Sequence, residues 1–134
     1  MPVVVTAAGT PLGRAVVAGL LAADPAAEVR AVTGSRAAAV ELGALGARTA
    51  LLPDLADPLL FGAVLTGAHT LVHLDEPAAT WQWTLEAAED TGLRRIITVD
   101  RSGAGAPVGC EVVTVAGGPV GTLLGRILAA ERRR

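Results

Sequence analysis

The sequence predicts an α/β fold: a doubly wound, mainly parallel sheet of about six strands with helices on both faces. Three observations carry this. Short β-branched runs alternate with helical stretches along the chain. The runs are apolar throughout, as strands covered on both faces should be. The first run, in VVVTAAGTPLGRAVV at 3–17, passes through a glycine turn directly into a helix.

The elements follow in order. A strand at 3–6 leads to Thr10 as N-cap and Pro11 as first helical residue, opening a helix over 11–23. Val16, Val17, Leu20 and Leu21 lie on one face of it. A strand at 29–33 precedes a helix over 36–45 that Gly46 closes. After a strand at 49–52, Asp57 and Pro58 open a third helix, which stops at Gly67. A strand at 70–74 feeds a fourth helix over 78–90, ended by Gly92. Strands at 96–99 and 112–115 and a helix over 120–132 complete the pattern. In the last helix Leu123, Leu124, Ile127 and Leu128 share a face.

At 134 residues, without repeat or linker, 1–134 is expected to be a single domain. Phe61, Trp81 and Trp83 are the only aromatics, so the core is aliphatic. A net charge of −2 with no basic stripe argues against nucleic acid as a partner. The arginines at 132–134 are read as complementing the negative end of the last helix or fraying into water. Cys110 stands alone, which excludes a disulfide framework, and no metal-ligand spacing occurs, so no metal is expected. No charged leader precedes a long apolar stretch, and no apolar run reaches the roughly 20 residues of a membrane span. A cytoplasmic protein without a membrane partner is expected. The chain contains no Lys, Tyr or Asn.

Four stretches in order resemble the extended and atypical short-chain dehydrogenase/reductase proteins, including the NmrA-like branch. They are VVVTAAGTPLGRAVV at 3–17, ALGARTALLPDLADP at 44–58, GAHTLVHL at 67–74 and LEAAEDTGLRRIITVD at 85–100. The resemblance covers roughly 3–103 and returns weakly at 112–121. It implies a Rossmann-like sheet, shortened at the C-terminus, with NAD(P) at the carboxyl ends of the strands. It also implies a Tyr-x-x-x-Lys pair that moves a proton during hydride transfer.

The chain departs from that pattern at three places. The family's T-G-x-x-G-x-x-G loop, laid on Thr6 and Gly13, puts Ala7 and Thr10 at the first two glycines, with Gly9 one position out of register. A Cβ at both positions crowds the approach of a pyrophosphate. Strand two ends in Val32-Thr33-Gly34-Ser35-Arg36, without the acid that holds a ribose diol. Ser35 and Arg36 suit a 2′-phosphate, or Arg36 is a solvated first-turn residue. Finally, with no Tyr and no Lys the proton-transfer pair cannot exist.

Other groups gather at the expected ligand edge. Asp54 follows strand three, either at an adenine or capping its own turn. His73-Leu74-Asp75-Glu76 follows strand four, where the family has His-Leu-Ala-Ala. Asp100-Arg101-Ser102 follows strand five, where it has a serine pair. A half-buried Asp100 has a raised pKa and suits general acid–base work; the alternative is that Arg101 or a helix N-terminus simply pairs with it. His73 is read first as a buried structural histidine and His69 as exposed. The acids together repel an anionic cofactor. On the fourth helix Trp81 belongs to the core stripe and Trp83 faces outward, toward a subunit interface or a pocket wall.

The expectation is therefore a redox-incompetent, cofactor-independent enzyme of bacterial specialised metabolism, of cyclase, isomerase or dehydratase type. Asp100, Asp75 and His73 are the catalytic candidates. Ala8, Gly9, Glu76, Arg101 and Trp83 are the candidates to bind a small apolar molecule. The chain is expected to form a homodimer through the fourth helix. The alternative is a non-catalytic NADP-binding sensor or structural module, using Thr10, Pro11, Leu12, Ser35, Arg36 and Asp54.

Overall fold

The computed structural model describes residues 2–75, 78–100, 106 and 109–132. In chain order the elements are β1 (Val3–Val5), α1 (Pro11–Ala23), β2 (Val29–Thr33), α2 (Arg36–Ala44), β3 (Arg48–Leu51) and α3 (Pro58–Leu65). Then come β4 (Thr70–His73), α4 (Ala78–Ala88), β5 (Arg95–Val99), β6 (Glu111–Val115) and α5 (Val120–Arg132). All five strand pairings are parallel, in the order β3-β2-β1-β4-β5-β6. This is the doubly wound Rossmann order, and it reverses direction between β1 and β4.

Alternation along each strand splits the core in two. Val3, Val5, Val72 and Ile97 point to the face covered by α1, α2 and α5, where they meet Val16, Val17, Leu42 and Ile127. Val4, Leu71 and Ile96 point to the other face, against Phe61 and Leu65 of α3 and Trp81 of α4. Fully burying such a side chain contributes about 1.5–3 kcal/mol, so the central strands β1, β4 and β5 anchor the sheet. The edges differ from the expectation of fully apolar, covered strands. β3 is mostly exposed and β6 half-buried, because each has a neighbour on one side only.

The helix signals act as the sequence predicts. Thr10 caps α1, its hydroxyl accepting the Gly13 N–H at 3.0 Å. Asp57 caps α3 by accepting the Leu59 and Leu60 N–H groups. Gly46, Gly67 and Gly92, which follow α2, α3 and α4, have positive φ, where a side chain is disfavoured. One cation at a helix C-terminus was not foreseen. Arg95, nearly buried, donates from Nη1 to the Ala130 carbonyl of α5 at 3.1 Å and from Nε to Glu111 at 2.8 Å. Arg95 thus joins Arg132, in the last turn of α5, at that C-terminus; 133 and 134 lie outside the described residues.

Two surface expectations change. Trp83 is half-buried and packs on the α3–α4 side of the core instead of facing outward. Among the described residues, the exposed large apolar side chains are Val40, Leu45, Leu51, Leu59, Leu60 and Val120, none of them on α4. The outward Trp83 that motivated self-association through the fourth helix is therefore lost. His69, expected to be exposed, is partly buried, and its ring faces the Thr70 hydroxyl at 2.9 Å. No helix of the described residues is long and apolar enough to cross a membrane.

Candidate functional site

The carboxyl ends of the strands carry two cavities. The first, about 340 Å³, lies beyond β1, β2 and β3, with Gly9, Arg14, Thr33, Ser35 and Asp54 in its wall. The second, about 430 Å³, lies beyond β4 and β5, with Leu12, Thr98, Asp100 and Leu123 in its wall. Asp75 lines both. Asp75 follows β4 and the Ala7–Gly9 turn follows β1, so the junction of the cavities sits where the strand order reverses. Ligands of open parallel sheets bind at that point, and each cavity is within the usual size of a small-molecule pocket.

The turn after β1 is built around two glycines. A Cβ on Gly13 would collide with the Ala7 carbonyl oxygen and the Ala8 Cα. Gly13 is thus the glycine that lets α1 close onto the turn. A Cβ on Gly9 would come within 3.0 Å of both Ala38 Cβ and Thr33 Oγ1. Gly9 therefore keeps the first cavity open, from the position that sequence alignment places out of register. Ala7 adopts φ +50, the left-handed conformation that favours glycine. Three hydrogen bonds hold it there: Thr10 N–H and Thr10 Oγ1 both donate to the Ala7 carbonyl, at 3.1 and 2.7 Å, and Ala8 N–H donates to Val32 at 3.0 Å. The turn thus keeps the glycine shape with an alanine in it.

Three of the four acids expected to repel an anion line the cavities, each in a different setting. Asp54 accepts the Ala56 N–H at 2.8 Å and caps its own turn, although it also lines the first cavity. Asp100 is exposed, not half-buried. It sits at φ +50, and its Oδ1 accepts the Gly117 N–H at 2.8 Å, tying the end of β5 to the segment after β6. Asp75 is the partly buried acid. Burial holds its carboxyl above the ordinary aspartate range, opposed by the hydrogen bond that Thr6 donates. The partial burial expected of Asp100 thus belongs to Asp75. Glu76 and Arg101 lie outside the described residues.

His73 is almost fully buried. Its Nδ1 lies 3.5 Å from Thr6 Oγ1 and 3.4 Å from Thr84 Oγ1, and its Nε2 lies 3.3 Å from Thr80 Oγ1. Its ring packs edge-on against Trp81, with centroids 5.6 Å apart. The imidazole therefore fastens β4 to β1 and α4, and it reaches the second cavity only as part of the wall. Thr6 is the hub of this arrangement, since its hydroxyl also accepts the Leu74 N–H at 3.0 Å.

The remaining candidates separate. Thr10 and Ser35 line the first cavity, Leu12 lines the second, and Ser35 also caps α2 by accepting the Ala38 N–H. Ala8 is buried in the core, Pro11 and Arg36 are exposed, and none of these three lines either cavity. Trp83 lines neither. The cation in the first cavity is Arg14, paired with Glu41 of α2 at 2.7 Å. Sequence reasoning missed Arg14, although its place one turn after the Thr10 cap puts it on the turn's side of α1. Thr6 and Thr98 were missed too, since a threonine inside a strand signals only β propensity. Among the described residues no cluster of acids, histidines and cysteines forms a metal site.

No family model matches the chain, and no curated protein matches it. Solved structures do. Triphenylmethane reductase from Citrobacter, complexed with NADP(H), superposes with a TM-score of 0.65 at 24% identity, covering 74% of this chain and 37% of that one. Gre2 from Candida albicans, in complex with NADPH, gives 0.63 at 19%, covering 74% and 36%. NADPH-dependent quinone oxidoreductase from Escherichia coli, complexed with NADPH, gives 0.64 at 22%, covering 72% and 36%. The chain has the fold of these NAD(P)-binding Rossmann reductases. It spans little more than a third of their length. All three carry the dinucleotide, which overturns the expectation of a protein with no cofactor and, with it, that of a redox-incompetent cyclase, isomerase or dehydratase.

The residues present fit such a group. Gly9 leaves open the approach a Cβ would fill, and Asp75 lines both cavities.

Proposed function

We propose that the chain is an NADP(H)-binding unit of reductase type, with the dinucleotide lying along the carboxyl edge of the sheet. The observation that carries this is the pair of cavities that share Asp75 on either side of the strand reversal. The first suits the adenosine end, with the Thr33 and Ser35 hydroxyls for a ribose and the Arg14 guanidinium for a 2′-phosphate. Exposed ion pairs such as Arg14–Glu41 contribute little, so the guanidinium can turn to a ligand at small cost. When bound, the dinucleotide supplies a hydride.

The second cavity suits the acceptor, with Leu12, Leu74, Val99 and Leu123 as apolar wall and Thr98 as a polar contact. The absence of Tyr and Lys restricts which acceptor this can be. Reducing a plain carbonyl to an alcohol needs a proton at the oxygen as the hydride arrives at carbon. A conjugated cation becomes neutral on receiving hydride alone. A quinone becomes a hydroquinone monoanion, which water protonates afterwards. Acceptors of this electron-poor, conjugated class need no phenol from the protein. Dyes and quinones, which figure in the descriptions of two neighbours, belong to that class.

Titration with NADPH and NADH, followed by calorimetry, tests the binding half. Micromolar affinity for NADPH, weaker for NADH, is expected. No binding of either at millimolar concentration defeats the reading. Loss of NADPH absorbance on adding a cationic triphenylmethane dye or a small quinone, and none on adding a simple ketone, tests the acceptor class.

A further inference from the structure

We propose that Asp75 holds the dinucleotide as a neutral carboxyl, donating a hydrogen bond to its diphosphate, so that binding takes up a proton. The inference rests on the NADP(H) reading above. Three observations lead to it.

The first is position. Asp75 lines both cavities, so a ligand that reaches from one to the other passes over its carboxyl. The middle of a dinucleotide is its diphosphate. The second is the donor supply in the turn after β1. Loops of this kind hold phosphate through backbone N–H groups at a helix N-terminus. Here Pro11 has none, the Thr10 N–H is spent on Ala7, the Ala8 N–H on Val32 and the Gly13 N–H on the Thr10 hydroxyl. A donor from another element adds to the N–H groups of Gly9 and Leu12, and a protonated carboxyl is one. The third is charge. Arg14 is the one cation among the described residues lining either cavity, and it already faces Glu41. An ionised Asp75 would oppose the diphosphate at close range. A neutral one removes that repulsion and adds a bond.

The groups facing Asp75 are Arg14 from α1 and Asp54 from the turn after β3 on one side, and His73 and Asp100, at the ends of β4 and β5, on the other. Thr6, which follows β1, donates to its carboxylate. When Asp75 takes a proton from solvent, the carboxyl keeps its Thr6 contact and gains an O–H donor. Burial already favours that neutral form, and an arriving anion favours it further.

The test is calorimetry with NADP⁺, which survives mild acid, between the ordinary carboxylate range and neutrality. Comparing two buffers of different protonation enthalpy counts the protons taken up. Wild type should take up close to one proton more than Asp75→Asn, whose amide donates at every pH. Its affinity should fall about tenfold per pH unit, relative to the variant, once Asp75 ionises. The 2′-phosphate titrates in the same window but does so against both proteins, so the difference isolates Asp75. Equal proton uptake by the two proteins overturns the inference and leaves NADP(H) binding intact. Absence of binding to either protein, both melting cooperatively, defeats the NADP(H) reading and the inference with it. The two-buffer comparison on wild type alone remains decisive if the variant fails to fold: no proton uptake beyond that of the 2′-phosphate overturns the inference.

Discussion

The turn after β1 and the ends of β4 and β5 border the same crevice but are shaped by different forces. The turn is fixed by contact. Gly13 is pressed against the Ala7 carbonyl, Gly9 against Ala38 and Thr33, and Ala7 is held at φ +50 by its neighbours' hydrogen bonds. The strand ends are fixed by charge and hydration. Asp75 and Asp100 follow adjacent strands, yet the first is partly buried beside Thr6 and the second is exposed on Gly117. Substitutions in the turn should therefore act on folding, whatever the pH. Those at the strand ends should act through protonation and local bonds.

The largest effect is expected at Gly13. Gly13→Ala forces its Cβ into backbone, which cannot yield as a side chain can. A loss of about 3 kcal/mol or more, or no cooperative thermal transition, is expected. Gly43→Ala on α2 is the control, because its Cβ meets nothing. It should stabilise by about 0.5–1 kcal/mol. Equal melting of the two variants would mean that the turn is not packed as described.

Thr10→Ala comes next. It removes the cap on the Gly13 N–H and the bond that holds the Ala7 carbonyl. About 1 kcal/mol should be lost in a denaturant titration, equally at mild acid and neutral pH. The loss also frees one backbone donor in the turn. NADP⁺ affinity should therefore suffer less than stability does. A large loss of affinity without loss of stability would make Thr10 a ligand-binding group instead of a cap.

The sheet and helices were legible because their signals are local. Thr10-Pro11 and Asp57-Pro58 open helices, Gly46, Gly67 and Gly92 follow them, and every strand lies within a residue or two of its expected limits. The site was legible only as a place. That Asp75 and Asp100 follow strands four and five can be read from spacing. Which of them is buried depends on Thr6, from a strand nearly seventy residues earlier, and on Gly117, from a later segment. Arg14 and Trp83 show the same limit: a helical wheel gives a residue's side of its helix, but α2 and α3 decide what that side meets.

Asp100→Ala should cost about 1 kcal/mol. It removes the acceptor for the Gly117 N–H and leaves an alanine at positive φ. Asp100→Asn should cost less, since asparagine tolerates that conformation and its amide oxygen accepts the same N–H. If Asp100→Asn abolishes NADPH-dependent reduction of an acceptor while melting like wild type, Asp100 acts in the chemistry and not as a tether.

The smallest effect on stability is expected at Asp75, and its sign is opposite. The folded-state pKa of Asp75 is raised by burial above its unfolded value. Its neutral form is thus compatible with the fold and its ionised form is penalised. The stability it contributes is fully present below the ordinary aspartate range and is lost as pH rises through the raised folded value. At neutral pH wild type bears the cost of a partly desolvated carboxylate, and Asp75→Asn does not. The variant should therefore melt slightly above wild type at neutral pH, with the gap closing as the solution is acidified below the unfolded aspartate pKa. Thr6 opposes the penalty, because its hydroxyl donates to the carboxylate. Thr6→Val in the wild-type background should accordingly widen the gap between wild type and Asp75→Asn in that background. A variant that melts below wild type at neutral pH and level with it in acid would reverse the sign. Asp75 would then be a stabilised carboxylate, and the role given to its burial would be wrong.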